Sequence, residues 1–437
     1  MVTKKPWEYG PLRVHADGRY LINGETPFFW MGDTAWLLFH TPDLKNIHVY
    51  LQNRKDKAFN VIQAVLVRET AKNALRDNDF SRPDGESGFW QHVDTVLDMA
   101  DDLGLYMGLL PCWGSMVKRG LLRPENAAAY GEFLAKRYGD RRNVIWILGG
   151  DIRGDQNGEV WPLLAEGIKK TAPAQLMGYH PFGRTSSSLW FDKAEWLDFN
   201  MFQSGHRRYD QRTLKEWDDN AAKEEWFGED SWRYVLRDYA ASVHRPTLDG
   251  EPSYEQIPQG LHDSAQPYWQ DHDVRRYAYW SVLEGACGHT YGHNAIMQFH
   301  EEGTGSGSYG VKSTWQEAIH HPGSGQMGHL VSLMNSVNFI SGRAAQQLLP
   351  KNGEAYNRVS AFMGKDFALF YSYCGEAFDV DLGKTGWDSV SAWWFDPAAG
   401  VYSYLGRYGC GEYASFVPPR KPAGQNDWVL LLNQGSQ

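Results

Sequence analysis

Cysteine is scarce. Cys112, Cys287, Cys374 and Cys410 are the only four in 437 residues. No two of them form a C-x-x-C pair, which argues against a zinc knuckle or a thiol redox motif. Cys112 and Cys287 end apolar runs and are expected as buried thiols. Cys374 and Cys410 share the C-terminal region, where a pairing is open. Positive charge is also in short supply: the net charge is −10, and no basic patch points to nucleic acid. No apolar window is long enough to span a membrane, and the opening "MVTKKPWEYG" lacks the apolar stretch of a signal peptide. The chain is therefore read as soluble, with no membrane partner. It is cytoplasmic as it stands, or periplasmic or extracellular if a signal has been removed. No internal repeat is evident. A glycine-rich phosphate turn after an early strand is missing too, since the first apolar run ends in "GDTAW"; this disfavours a doubly wound dinucleotide-type sheet. No cofactor is expected.

What the chain has in quantity is aromatic side chains, 14% of residues, with 19 Trp. They suit a large core, and they also suit stacking against sugar rings. Eight apolar, β-branched or aromatic runs recur at 27–36, 59–67, 103–114, 143–151, 174–181, 197–206, 246–255 and 285–294, most preceded by a helix-like stretch. Alternation of this kind predicts a parallel sheet with crossover helices, and eight units close into a (β/α)₈ barrel. Continuous apolar runs fit strands covered on both faces. From about residue 335 the texture changes. "AFMGKDFALFYSYCG", "SVSAWWFDPAAGVYSYLG" and "DWVLLLN" read as antiparallel strands of a β-sandwich. The expected division is a catalytic barrel over 1–335 and a sandwich over 336–437. A joining helix is expected over 331–341 and a glycine-rich loop over 301–310.

In a (β/α)₈ barrel the chemistry sits at the C-terminal ends of the strands. Those ends carry Asp33, Trp113, Asp151, Tyr179 and His180, then Gln203, Ser204 and His206, then Glu251, and last Tyr291 and His293. Asp151 closes "NVIWILGGD", and Glu251 lies in "LDGEPSYE". Strands four and seven face each other across the barrel, so these two carboxylates can flank one glycosidic bond, one as proton donor and the other attacking carbon or activating water. Burial of Asp151 would raise its pKa and keep a proton available. The competing reading of Asp151 is a loop or N-cap aspartate. For the second carboxylate, Asp249 and Glu255 compete with Glu251. The glycines beside Asp151 are expected to let a sugar approach the backbone.

The histidines also admit a metal reading, because His289 and His293 form H-x-x-x-H. That pair lies on an apparent strand and not on a helix, and strand one lacks the H-x-H of zinc amidohydrolases. The favoured reading has His180, His206 and His293, with Asp33, Gln203 and Tyr291, hydrogen-bonding sugar hydroxyls, with no metal. Each of these could instead be a satisfied structural group. Trp113 and Trp36 are stacking candidates, although Trp36 reads better as core.

At these residues the chain resembles a known family. "YLINGETPFFWMGDTAW", "NVIWILGGD", "GYHP", "QSGH", "DGEPSYE" and "WWFDPAAG", in that order, are similar to glycoside hydrolase family 140, from about Tyr20 to the end. The resemblance implies a catalytic barrel followed by a β-sandwich of collagen-binding type. It also implies apiosidase activity, releasing the branched pentose apiose from apiosylated glycosides or from the pectic polymer rhamnogalacturonan II. Asp151 then matches the acid/base and Glu251 the nucleophile of a retaining mechanism. Gly150-Asp151 stands where most enzymes of the related clan carry Asn-Glu. The carbohydrate is the expected partner. A metal-dependent hydrolase and a non-catalytic carbohydrate- or collagen-binding protein are the alternatives.

Overall fold

The computed structural model describes residues 4–68, 75–84, 88–212, 227–303, 307–421 and 425–434. Three short strands, β1 (Leu12–Val14), β2 (Leu21–Asn23) and β3 (Thr26–Phe28), form a small antiparallel sheet ahead of the main body. Then come the barrel strands β4 (Trp30–Thr34), β5 (Val61–Val67), β6 (Tyr106–Cys112), β7 (Val144–Gly149), β8 (Met177–His180), β9 (Asn200–Phe202), β10 (Thr247–Asp249) and β11 (Gly288–Tyr291). Each falls within one of the eight apolar runs. They pair in parallel in the order β8-β7-β6-β5-β4-β11-β10-β9. The remaining seam is closed by other bonds. Asp198 N donates to Met177 O at 2.8 Å, and Ser187 N donates to Met201 O at 2.9 Å. The (β/α)₈ expectation holds.

Helices α1 (Leu44–Asp56), α2 (Phe89–Asp102), α3 (Ser115–Lys118), α4 (Pro124–Tyr138), α5 (Val160–Lys169), α6 (Ser188–Phe191), α7 (Ser231–Ala240) and α8 (Asp271–Val282) lie between the strands. Their sequences explain them. In α2 the buried positions Trp90, Val93, Val96, Leu97 and Ala100 recur at helical spacing and make one inward stripe. Asp43 caps α1 by accepting from Asn46 N at 2.8 Å. β5, "VIQAVLV", is buried at every position because helices cover one face and the barrel interior the other.

After β11 the chain forms α9 (Asn294–Met297), α10 (Trp315–Ala318) and α11 (Pro322–Asn335). The joining helix starts nine residues earlier than the sequence suggested. Pro322 occupies its first turn, and Met327, Leu330, Leu333 and Met334 give a buried face that outweighs the glycines of "PGSGQMG". In the glycine-rich loop, 304–306 lie outside the described residues.

The C-terminal region is a six-stranded antiparallel sheet ordered β12-β13-β14-β19-β16-β17 with a separate ribbon of β15 and β18. The strands are β12 (Arg343–Ala344), β13 (Val359–Met363), β14 (Phe367–Ser372), β15 (Phe378–Asp381), β16 (Ser389–Asp396), β17 (Val401–Gly409), β18 (Tyr413–Phe416) and β19 (Trp428–Gln434). One face of the large sheet, with Phe362, Leu369, Tyr371, Phe395 and Val429, joins the same apolar cluster as Trp280, Met327 and Leu330 of the barrel. The other face, with Phe370, Trp394 and Leu430, packs on Phe378 and Phe416 of the ribbon. A buried ion pair crosses the junction: Arg275 Nε and Nη2 donate to Asp427 Oδ2 and Oδ1 at 2.8 and 2.9 Å. All four cysteines are free, so the open pairing of Cys374 with Cys410 is not made; the first is half-buried and the second buried. Cys112 and Cys287 are buried thiols, as read.

Candidate active site

Beyond the strand ends the chain stays stitched. Trp113 N donates to Val67 O at 3.0 Å, Gly114 N to Gly150 O at 2.9 Å, and Gly150 N to His180 O at 3.0 Å. These bonds carry the β-ladder from β5 to β8 one step further and fix the backbone on which Asp151 sits. Gly149, Gly150 and Asp151 have φ of 90°, 99° and 57°. The first two need glycine because a Cβ on Gly149 would meet His180 O at 2.3 Å, and one on Gly150 would meet Trp113 Cε3 at 2.8 Å. The space beside Asp151 is therefore filled by the protein's own backbone and Trp113. The expectation that these glycines admit a sugar is corrected.

The opposite rim is built the same way. Gly250 N donates to Phe202 O at 2.8 Å and Gly205 N to Glu251 O at 3.1 Å. A Cβ on Gly205 would lie 2.3 Å from Pro252 C, so the two loops approach at a distance only glycine allows. His206 follows with φ of 73°, its N–H donating to Ser253 Oγ at 2.7 Å.

Between these rims opens a cavity of about 500 Å³ lined by Asp151 and Glu251 with Trp36, Trp113, Lys118, Gln203, His206, Tyr254 and Tyr309 among others. Of the eleven non-glycine residues with positive φ among the described residues, five line it: Asp151, Arg184, His206, Leu261 and Tyr309. Held backbone of this kind concentrates at functional sites.

The two carboxylates sit in opposite environments. Glu251 has His180 Nε2 at 3.1 Å from Oε2 and His206 Nε2 at 3.1 Å from Oε1. Burial opposes its charge, but the two imidazoles outweigh that and take its pKa down to about 2. An ionised carboxylate only accepts, so in its hydrogen bond to Glu251 the His206 Nε2 carries the hydrogen. Asp151 moves the other way. Burial raises its pKa first and the charge of Glu251 second, to about 6, against weaker opposition from His180, Lys118 and His206. Lys118, delivered by α3, reaches Asp151 O at 3.5 Å.

The rivals of Glu251 lie elsewhere. Asp249 is buried inside the barrel against Ser204, with its pKa raised to about 8 by burial. Glu255 accepts from Tyr291 Oη at 2.5 Å and Gly323 N at 3.3 Å, away from the cavity wall. Of the three, only Glu251 lines the cavity.

Of the sequence-read binding residues, Trp113, Gln203 and His206 line the cavity, and His180 stands behind Glu251. Gln203 Oε1 is buried without a hydrogen-bond partner among the described residues. Ser204 is engaged with Asp249, and Tyr179 Oη donates to Ile152 O at 3.0 Å. Asp33, Tyr291 and His293 are placed outside the cavity. Asp33 is fully buried and takes Arg54 Nε at 2.5 Å and Tyr50 Oη at 2.6 Å. Tyr291 is spent on Glu255, and His293 caps α9, its Nε2 2.9 Å from His321 Nδ1. Strand-end position brought these three forward, yet their side chains point into packed protein. His289 is buried on β11 with neither ring nitrogen bonded among the described residues, and burial lowers its pKa to about 3. Among the described residues no group of three or more His, Cys, Asp or Glu is placed to hold a metal ion.

Trp36, a stacking candidate that read better as core, is corrected to the cavity wall: its Nε1 donates to Tyr254 Oη at 3.1 Å, and its ring meets that of His180 edge-on at 5.3 Å. Other wall residues had no place in the sequence reading. Arg68 lies over Trp113 at 4.9 Å and Lys118 over Phe182 at 5.3 Å. Arg68 directly follows β5 and Lys118 ends the four-residue α3, neither within a motif. Tyr254, inside "DGEPSYE", was within reach.

Two solved structures match the chain along its whole length. One, a "Glycoside hydrolase", is 41% identical with a TM-score of 0.92, covering 100% of this chain and 99% of its own. The other, a glycoside hydrolase family 5 protein from Bacteroides vulgatus, is 40% identical with a TM-score of 0.92, covering 99% and 95%. A third, titled a "putative glycoside hydrolase" from Bacteroides vulgatus, shares the fold at 13% identity, TM-score 0.69, covering 98% and 83%. No curated protein matches. Fold and cavity define a (β/α)₈ glycoside hydrolase. The sequence model "Apiosidase-like, catalytic domain" matches residues 15–341, so the chain belongs to the apiosidase-like family. A second, "Putative collagen-binding domain of a collagenase", matches residues 344–433.

Proposed function

We propose that this glycoside hydrolase releases apiose from apiosylated glycosides or pectic side chains by a retaining mechanism. Asp151 is the acid/base and Glu251 the nucleophile. The observation that carries this is the opposed state of two carboxylates in one cavity: Glu251 ionised between two imidazoles, Asp151 with its pKa lifted to about 6. Membership of the apiosidase-like family supports the sugar.

In the first step Asp151 gives its proton to the leaving oxygen while Glu251 attacks the anomeric carbon, forming a glycosyl-enzyme. Forming that ester removes the negative charge of Glu251, which lowers the pKa of Asp151 and readies it to take a proton from water in the second step. His180 and His206 hold the carboxylate in place for attack. Gln203 Oε1, an unmet buried acceptor in the wall, takes a sugar hydroxyl, as does the Trp113 face a sugar ring.

The test is sugar release from apiosylated glycosides and rhamnogalacturonan II fragments by the parent, Asp151→Asn and Glu251→Gln. Apiose released by the parent and lost in both variants is expected. Another pentose in place of apiose would overturn the substrate. Parental rates in the variants would overturn the residue roles.

A further inference from the structure

Away from the rim, a second cavity of about 420 Å³ opens where the end of α11 meets the large C-terminal sheet. α11 begins beside the rim, with Gly323 N bonded to Glu255 Oε1. Its fourteen residues carry the chain about 21 Å along the barrel before Asn338 is reached. The cavity is thus separate from the catalytic one.

Its walls are mostly polar: Asn338, Asp366, Ser391 and Asn433 line it, with Trp393 and the apolar Val337 and Phe367. None of these four polar side chains has a hydrogen-bond partner among the described residues. Trp393 is partly buried, and the ring of Tyr404 on the neighbouring edge strand lies 5.4 Å from it. Tyr404 is 62% exposed and extends the aromatic surface outward from the cavity. Amide, hydroxyl and carboxylate groups beside an open aromatic ledge are what a sugar needs, since its hydroxyls take the polar groups and its C–H face takes the rings. The lining holds one carboxylate and no cationic side chain, so a phosphate, sulfate or uronate is not what it selects. An apolar protein surface would leave its amides unmet.

We propose that this cavity is an ancillary binding site for a neutral glycan chain. It would hold the C-terminal domain on the polymer while the rim cavity acts on terminal sugars. The choice of a glycan rests on the glycosidase reading above; the cavity itself does not.

The test is affinity electrophoresis of the full chain carrying Glu251→Gln, in native gels containing arabinan, galactan or xylan, with polygalacturonate as the acidic control. Retardation by at least one neutral polymer is expected. Adding Trp393→Ala or Tyr404→Ala should weaken it at least about tenfold. The far-ultraviolet circular dichroism and melting midpoint of each variant establish that it folds. In the parent background, hydrolysis of a small aryl apioside is read separately and should be unchanged by Tyr404→Ala. No retardation by any neutral polymer would overturn the proposal, as would retardation that persists in both folded variants. Loss of hydrolysis without loss of retardation would count against the function and not against this site.

Discussion

His206 reaches Glu251 from a left-handed backbone: its φ is 73° and its Nε2 lies 3.1 Å from Glu251 Oε1. Ser253 Oγ fixes its amide and the ring of Tyr254 meets its ring edge-on at 4.8 Å. A residue so constrained positions the carboxylate. His206→Ala or His180→Ala should lower kcat/KM by about 10- to 100-fold, the worth of one hydrogen bond to a charged group. The double variant should lose more. Steady-state kinetics check this, and an unchanged kcat/KM in both single variants would refute the positioning role.

The pH profile follows from the two carboxyls. The proposed mechanism needs Asp151 protonated and Glu251 ionised. With values of about 6 and about 2, kcat/KM should be highest at acidic pH between them and fall about tenfold per unit as pH rises past 6. In Glu251→Gln, the second cause of the raised Asp151 value is gone, so the Asp151 carboxyl should titrate lower. Carbon-detected NMR of labelled aspartate reads that shift.

Asp151→Asn should depend on the leaving group. For poor leaving groups the loss should reach about 10²- to 10⁴-fold. For an activated dinitrophenyl apioside the first step needs no proton, so the loss should be much smaller. Equal losses across a leaving-group series would argue against an acid role for Asp151.

The C-terminal region is coupled to the barrel through Arg275 and Asp427, both essentially without exposure. Asp427→Ala should destabilise the chain by about 3 kcal/mol, at the lower end for a broken buried pair because Asp271 still meets Arg275 at 2.8 Å. Arg275→Met combined with Asp427→Leu should recover part of that. Urea unfolding monitored by tryptophan fluorescence measures both, and an unchanged midpoint in Asp427→Ala would count against the coupling.

Where the strands lie was readable because apolar runs such as "VIQAVLV" must be long and unbroken when both faces are covered. Strand ends then located Asp151, Glu251, Trp113, Gln203 and His206 without knowledge of any contact. What periodicity could not supply is side-chain direction. Asp33 and Tyr291 end strands as Glu251 does, yet Arg54 and Glu255 claim them from helices and loops far along the chain. Lys118 entered the wall by the same long-range folding, and Trp36, named as a stacking candidate but read better as core, lies in the wall as well. The two glycines before Asp151 were legible as special, but the backbone of His180 and the ring of Trp113 that require them were not.

The most direct test of the central claim is hydrolysis of an aryl apioside by Glu251→Ala with and without azide. Removal of the nucleophile should cut the rate on the order of 10⁴-fold. Azide should restore turnover by entering the vacated space and yield a glycosyl azide of inverted configuration. A parental rate without azide would contradict the account.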